Sequence, residues 1–466
     1  MSAAVGDVSL AMLPLAIISV PAFAISLWNA EWAVVAGLSV PALVGLAGIG
    51  IAKAVEPYRR GGRPSPGSVL ATAWFIASIV CAAPFVASAV LDESASETTR
   101  TFASLPSALF ESFSGLTSTG LTMTPDAREL PLGLQWWRST IQWLGGVGIL
   151  YLVVAVICIE HDPEQSQDEE AEGEVGDGPD KVGPRSLRNV IGRTWMTYSL
   201  LTVAAFVGLI LTGVPVWDAA NLAQTAISTG GFALAPDSLA SYPYAAQVVA
   251  AVVMMAAAIS FYALRRLILE GDWRSTLTDH QVGWLFGLIA LSVVLALLIS
   301  DLPAWDATFH VISALCTGGF GTASFAGMKP TLILLIVVMV IGGSAGSTAG
   351  GIKIGRLRRV AWRCVGKTVD NPVPNESFGK TVQFLIVFAV TIALGSTLLF
   401  VTTDGFSFVD VLFETISALC TVGLSCGVTS SDLSPQAKLT LIGVMYLGRL
   451  EILAVLALVL RRVRRL

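Results

Sequence analysis

One short phrase occurs four times in this chain, each time between long apolar stretches. It reads Ser114-Gly-Leu-Thr-Ser-Thr-Gly120-Leu121, then Thr225-Ala-Ile-Ser-Thr-Gly-Gly231-Phe232. It returns as Ser313-Ala-Leu-Cys-Thr-Gly-Gly319-Phe320 and as Ser417-Ala-Leu-Cys-Thr-Val-Gly423-Leu424. Gapless alignment puts Gly120, Gly231, Gly319 and Gly423 in one column, with Ser118, Thr229, Thr317 and Thr421 two residues earlier. The copies lie about a hundred residues apart, which marks an internal repeat. Four like loops inside one membrane chain predict four walls of a single pore.

Composition supports the membrane reading. The chain is 54% hydrophobic and only 13% charged, against about 25% charged in soluble domains. Its six cysteines show no CxxC spacing, so neither a disulfide framework nor a zinc site is expected. The three histidines (161, 280 and 310) are too scattered for a metal cluster. The N-terminus lacks a basic n-region, so its apolar stretch is expected to be a retained helix.

About 20 apolar residues cross a bilayer as a helix, and on that ruler the chain holds ten spans. The expected fold is therefore an all-α membrane protein of ten transmembrane helices. Two spans, near 10–28 and 33–53, precede the first phrase. The chain then cycles through span, phrase, span four times. First spans lie near 68–91, 193–213, 281–301 and 378–402; second spans near 134–159, 244–268, 329–352 and 437–460. The expected units are 1–60 (two helices), 61–160, 186–272, 273–368 and 369–466 (the four repeats). An acidic linker, 161–185, joins repeats one and two. Residues 160–180 are rich in acid, Gly and Pro, as a solvated linker is.

Charge placement predicts orientation. Lys53, Arg59, Arg60, Arg63, Lys181, Arg185, Arg188 and Arg193 fall on one side. So do Arg265, Arg266, Arg274, the 353–380 cluster and the Arg461–Arg465 tail. Only Arg100, Arg128, Lys329 and Lys438 fall on the other. By the positive-inside rule the basic side is cytoplasmic, so both termini are inside and all four phrases approach from outside.

Seven residues before each phrase stand Ser107, Asp218, Asp306 and Asp410, residue types favoured at N-caps. Each is expected to start a helix of about two turns that ends at the phrase. Such a segment must enter the membrane and return, which irregular backbone survives only beside a wet cavity or inside protein. Gly permits φ > 0 and so can turn successive carbonyls toward an axis. A ring of backbone carbonyls replaces the water of a monovalent cation. No acid lies within any phrase.

The chain resembles the Trk/Ktr/HKT superfamily of cation transporters, and its TrkH branch most. The four phrases carry the likeness. So do Trp136-Trp-Arg138, Gln142-Trp-Leu-Gly-Gly-Val-Gly-Ile149, Gly342-Gly-Ser-Ala-Gly-Ser-Thr-Ala-Gly-Gly-Ile-Lys353 and Leu447-Gly448-Arg449-Leu450-Glu451-Ile452. The two extra N-terminal spans favour this branch. The resemblance implies potassium uptake through a selectivity filter built of Thr117, Ser118, Thr119 and Gly120; Ser228, Thr229, Gly230 and Gly231; Cys316, Thr317, Gly318 and Gly319; and Cys420, Thr421, Val422 and Gly423. Potassium would bind at these residues as the transported ion. The residue before each glycine differs (Thr119, Gly230, Gly318, Val422), so the filter is not fourfold symmetric and its selectivity is expected to be less sharp than in symmetric channels.

The resemblance further implies a gate formed by Gly342, Gly343, Gly346, Gly350, Gly351, Lys353 and Arg449. Taken alone, the 342–351 run also suits close packing of a small-residue helix. It fails the spacing of a nucleotide-binding loop, because Ile352 separates its last Gly from Lys353. Arg449 suits either a buried cation paired with carbonyls or, by resemblance, a barrier projecting into the permeation path. Glu111 and Glu414 share one place in their pore helices; they either deepen the negative potential or bond filter backbone. His310 takes the equivalent place in repeat three and reads as packing. Arg138 is placed to pair with such an acid. The implied setting is a bacterial cytoplasmic (inner) membrane, as a homodimer with cytoplasmic nucleotide-binding RCK (TrkA-like) subunits. No nucleic-acid partner, no bound cofactor and no enzymatic activity are expected. The rival readings are a sodium- or proton-coupled cation or solute symporter and an intramembrane hydrolase built on His310 with Ser313 or Cys316.

Overall fold

The computed structural model describes residues 2–56, 66–159, 184–365 and 378–450. The acidic stretch 160–180, the 461–465 tail, Arg59, Arg60, Arg63, Lys181, Lys367 and Glu451 lie outside the described residues. The described residues form helices and connecting loops, with no strand among them. Among the described residues, six helices are long and apolar enough to cross a membrane alone: Val5–Trp28, Trp32–Val55, Gly67–Leu91, Val190–Leu211, His280–Ile299 and Phe378–Thr402. The first two are the N-terminal pair and the other four open the repeats.

The second helices of the repeats differ from one another. In repeat one it runs unbroken over Leu132–Ile159. In repeat two it stops at Ala257 and resumes at Phe261 after a bend of 108°, where a straight span over 244–268 was expected. In repeat three it ends at Ile341, so the expected 329–352 span is a short helix followed by a loop. In repeat four it covers Pro435–Arg449. The ten expected spans are thus not ten continuous helices among the described residues.

Between first and second helices stand four pore helices of 12 residues each: Leu105–Leu116, Val216–Ile227, Ala304–Leu315 and Phe408–Leu419. At 1.5 Å per residue each is about 18 Å long, roughly half a bilayer and a turn longer than expected. The N-cap assignment also needs correction. The caps are Ser104, Pro215, Pro303 and Ser407, so Ser107, Asp218, Asp306 and Asp410 sit three residues inside. Asp410 closes a capping box with Ser407. Asp218 and Asp306 instead reach out of the first turn, accepting from the Tyr242 hydroxyl at 2.6 Å and the Thr322 hydroxyl at 2.6 Å. They pin each of these two helices to the loop that follows its phrase. Burial, then the bond to Asp218, push the Tyr242 hydroxyl above its ordinary range, which keeps it a donor.

Neighbouring repeats join through a duplicated contact. Gln135 accepts from Trp217 Nε1 at 2.7 Å, and Gln247 accepts from Trp305 Nε1 at 2.7 Å. Each glutamine's amide nitrogen holds loop carbonyls of its own repeat, Leu130 for Gln135 and Leu239 for Gln247. The N-terminal pair docks on repeat one. Glu31 caps its second helix, accepting from Leu132 N–H at 2.6 Å and Gly133 N–H at 2.9 Å.

Candidate functional site

Each pore helix ends in a Schellman motif. In repeat one, Thr119 N–H reaches back to Ser114 C=O at 2.9 Å and Ser118 N–H to Gly115 C=O at 2.9 Å. The same bonds recur as Gly230 to Thr225, Gly318 to Ser313 and Val422 to Ser417, at 2.9, 2.7 and 2.9 Å. Such a motif needs one left-handed residue, usually Gly. Here that residue is Ser118, Thr229, Thr317 or Thr421, with φ of 51, 53, 52 and 49°. A non-Gly residue there costs about 1–2 kcal/mol, so the hydroxyl is kept at a cost repeated four times. Two residues on, Gly120, Gly231, Gly319 and Gly423 also take positive φ, at 96, 75, 76 and 89°.

The four loops close a ring. A Cβ on Gly120 would fall 1.9 Å from Gly230 O, and one on Gly231 would fall 2.7 Å from the Gly319 Cα. One on Gly319 would fall 2.3 Å from Val422 O, and one on Gly423 would fall 2.2 Å from Thr119 O. Each wall thus meets the next in chain order and the fourth meets the first. All sixteen residues expected to form a filter lie in these four loops. Thr117, Ser118, Thr119, Gly120, Ser228, Thr229, Gly230, Cys316, Thr317, Gly318, Cys420, Thr421 and Val422 are buried, and Gly231, Gly319 and Gly423 are half-buried.

The acids of the pore helices brace the ring from behind. Glu111 accepts from Met123 N–H at 2.8 Å and from Thr122 and Thr124, and pairs with Arg138 Nε at 2.5 Å. Arg138 also donates to Ala233 O and stacks 3.8 Å from the Phe232 ring centroid. Glu414 accepts from Cys426 N–H at 3.3 Å, Thr429 N–H at 3.0 Å and the Ser425 hydroxyl at 2.7 Å. Both carboxylates therefore bond the backbone just past the filter. His310 holds Asp306 O through Nδ1 at 2.7 Å and packs edge-on against Phe325; it is a scaffold residue.

Below the ring lies the 342–353 loop. Gly342, Gly346 and Gly351 have φ of 71, 75 and 76°, and Lys353 has 76°. The loop fits into the break in repeat two: Ser344 N–H donates to Ala258 O at 2.9 Å and Phe261 N–H to Gly346 O at 2.9 Å. It also touches the walls. Thr348 donates to Ile227 O at 3.2 Å, Gly350 N–H to Thr317 Oγ1 at 2.8 Å, and Lys353 Nζ folds back on Ala349 O. Gly343 packs on Ala258 O.

Arg449 joins this loop to wall one. Its guanidinium donates to Thr348 O at 3.0 Å, Gly145 O at 2.7 Å and Ser118 Oγ at 3.5 Å. It is 3% exposed, and Nε has no partner among the described residues. Arg449 is thus a buried cation bonded to carbonyls, the first of its two readings, and it lies against Ser118 of wall one. Gln142, part of a motif quoted above without a role, is the site residue that sequence reasoning missed. Its amide nitrogen donates to Gly230 O at 2.7 Å and its oxygen accepts from Phe232 N–H at 3.2 Å.

A ring of four glycine loops on four short helices, with a small-residue loop and a buried arginine bonded against it, suits a membrane pathway for cations. The chain belongs to the TrkH family of cation transport proteins, whose pattern matches residues 76–464. It is 31% identical over 389 residues to the Trk system potassium uptake protein TrkI of Halomonas elongata, covering 76% of this chain and 77% of that protein. It is 29% identical to the Trk system potassium uptake protein TrkH of Salmonella typhimurium, covering 83% of each chain. The fold is similar to the crystal structure of the potassium transporter TrkH from Vibrio parahaemolyticus, with a TM-score of 0.79, 24% identity, and coverage of 97% and 98% of the two chains.

Proposed function

We propose that this protein takes up potassium across a bacterial cytoplasmic membrane. One observation carries the reading: four carboxylate-free loops close on one another in chain order, each with two left-handed residues that turn its carbonyls. Dehydration by a ring of carbonyls suits a monovalent cation of this kind. The Trk relatives bearing the name of potassium uptake point the same way. With the basic loops inside, a potential of 100 mV supplies about 2.3 kcal/mol per potassium ion.

Passage below the filter is controlled by the 342–353 loop with Arg449. The loop bonds to walls two and three and Arg449 to loop and wall one. A cation there repels potassium and slows it. The protein works as a homodimer with Trk-system partners, a cytoplasmic ring of nucleotide-binding RCK subunits. The helix Ile354–Cys364 follows the gate loop and carries Arg358 and Arg363 beside the buried Arg356 and Arg359; its basic character suits docking of such a ring.

The test is uptake of potassium, rubidium, sodium and lithium into liposomes holding the purified protein. Potassium and rubidium should be carried down their gradients in preference to sodium and lithium. Absence of potassium and rubidium flux, with and without the partner ring, sinks the proposal. Flux that requires a sodium or proton gradient favours the symporter instead.

A further inference from the structure

The four filter walls are tethered differently. In walls one and four the glycine N–H is held by the first residue of the phrase: Gly120 N–H by Ser114 Oγ at 3.1 Å and Gly423 N–H by Ser417 Oγ at 3.1 Å. Wall two has Thr225 there, and its hydroxyl bonds its own helix at Asn221 O and Leu222 O. What holds wall two is Gln142, from the second helix of repeat one. It grips Gly230 O at 2.7 Å and Phe232 N–H at 3.2 Å, one bond on each side of Gly231. Its own carbonyl accepts from the Ser118 hydroxyl at 3.0 Å, so the same residue touches wall one.

The glycine at 230 exists for this contact. A Cβ there would lie 2.4 Å from Gln142 Cδ and Oε1. Gly230 is not among the positive-φ residues, so backbone conformation does not require glycine. In walls one and four the same position carries Thr119 and Val422. In wall three, Gly318 makes room for Met254, whose Sδ would lie 2.0 Å from a Cβ. Met254 fills the space and offers no N–H, so wall two alone has a carbonyl before its glycine held by a side-chain amide among the described residues.

We propose that Gln142 is a specificity-determining positioning residue: its amide fixes the direction of the Gly230 carbonyl. The inference rests on the potassium reading above. A carbonyl held from behind cannot swing inward to close on a smaller ion. Freed, it can follow sodium, and discrimination falls while the pathway stays open.

The experiment measures rubidium and sodium uptake by the full-length protein in liposomes. Gln142→Met keeps the volume, as Met254 does for wall three, and removes both bonds. We expect the rubidium-to-sodium ratio to fall roughly tenfold, the worth of about one such hydrogen bond, with sodium uptake gaining on rubidium. Gly230→Ala should give a similar fall, because its Cβ expels the amide. Gln142→Ala combined with Gly230→Ala should be no worse than either alone, since the two act on one contact. An unchanged ratio in Gln142→Met, or proportional loss of both fluxes, overturns the inference, because loss of scaffold alone lowers both. If Gln142→Met does not fold, Gly230→Ala carries the same test in a chain that keeps Gln142. A wild-type protein that carries no rubidium overturns the potassium reading and this inference with it. A rubidium-carrying wild type with an unchanged variant ratio overturns this inference alone.

Discussion

Gly350 is where the gate loop presses on the filter, and a single methyl there tests whether that contact closes the pathway. A Cβ at Gly350 would lie 1.9 Å from Cys420 O, 2.8 Å from Cys420 C and 2.6 Å from Thr421 Oγ1. Cβ atoms do not approach within 3.0 Å of a neighbour, so loop and wall four must separate by about 1 Å. Cys420 is the C-cap of its pore helix, held by its N–H to Ile416 O at 2.8 Å and followed by the Schellman bonds. At Gly350 itself the loop has one bond, N–H to Thr317 Oγ1 at 2.8 Å, with Thr348 anchored two residues earlier on Ile227 O and by Arg449. The expected outcome is that the loop yields at Gly350, where its backbone is not part of a helix cap.

Overpacking of this kind costs about 1–3 kcal/mol, charged only to the loop-in state. That shifts the balance of loop-in and loop-out by roughly 5- to 150-fold. Gly350→Ala should accordingly raise the initial rate of rubidium uptake into liposomes several-fold or more. Gly443→Ala, on a second-helix face where a Cβ meets nothing within 4 Å, should leave it unchanged. Wild-type flux in Gly350→Ala refutes the reasoning. So does a fall in the rubidium-to-sodium ratio without a gain in flux, because then the wall moved and the loop did not.

Three further outcomes are expected. Arg449→Ala removes a cation below the filter and its bonds to Thr348 O and Gly145 O; rubidium flux should rise, and unchanged flux in purified protein counts against a barrier role. Arg138→Ala leaves the buried Glu111 carboxylate without its ion-pair partner, a loss of about 3–5 kcal/mol, read as a large drop in the melting temperature of detergent-solubilised protein. Glu31→Ala uncaps the second helix of repeat one at Leu132 and Gly133; about 0.5–2 kcal/mol of stability should be lost, with ion selectivity unchanged.

What was legible in the sequence was whatever each repeat encodes locally. The glycine column fixed the ring, because a positive φ beside a neighbouring carbonyl excludes any other residue there. The capping residues were misplaced by three, since an acid in the first helical turn looks like a cap. Ser407 with Asp410 spelled a capping box, and proline precedes the first residue of two pore helices at 215 and 303. The glutamine–tryptophan contact between repeats also left a trace: Pro131 and Pro243 each stand four residues before the glutamine, and Trp217 and Trp305 each precede an aspartate. The bend in repeat two left none. Residues 256–260 read Ala-Ala-Ala-Ile-Ser, without Gly or Pro. The helix breaks because Ser344 and Gly346 of repeat three take up Ala258 O and Phe261 N–H. A partner so distant in sequence overrides a good local helix former.

The residue before each filter glycine shows the same division. Read along the chain, Thr119, Gly230, Gly318 and Val422 look like drift away from symmetry. In the folded ring the two glycines answer what the preceding repeat's second helix places behind them: Gln142 behind Gly230 and Met254 behind Gly318. Asymmetry therefore enters through the supports, while the glycines that face neighbouring walls stay fixed. Wall three is the one whose left-handed threonine is bonded by the gate loop, through Gly350 N–H; wall two is the one clamped by Gln142. Wall two is touched by the loop too, through Thr348 on Ile227 O, but the Gln142 clamp holds it when the Gly350 contact at wall three loosens. On the proposed roles of loop and clamp, Gly350→Ala and Gln142→Met should therefore change different quantities in the same flux assay.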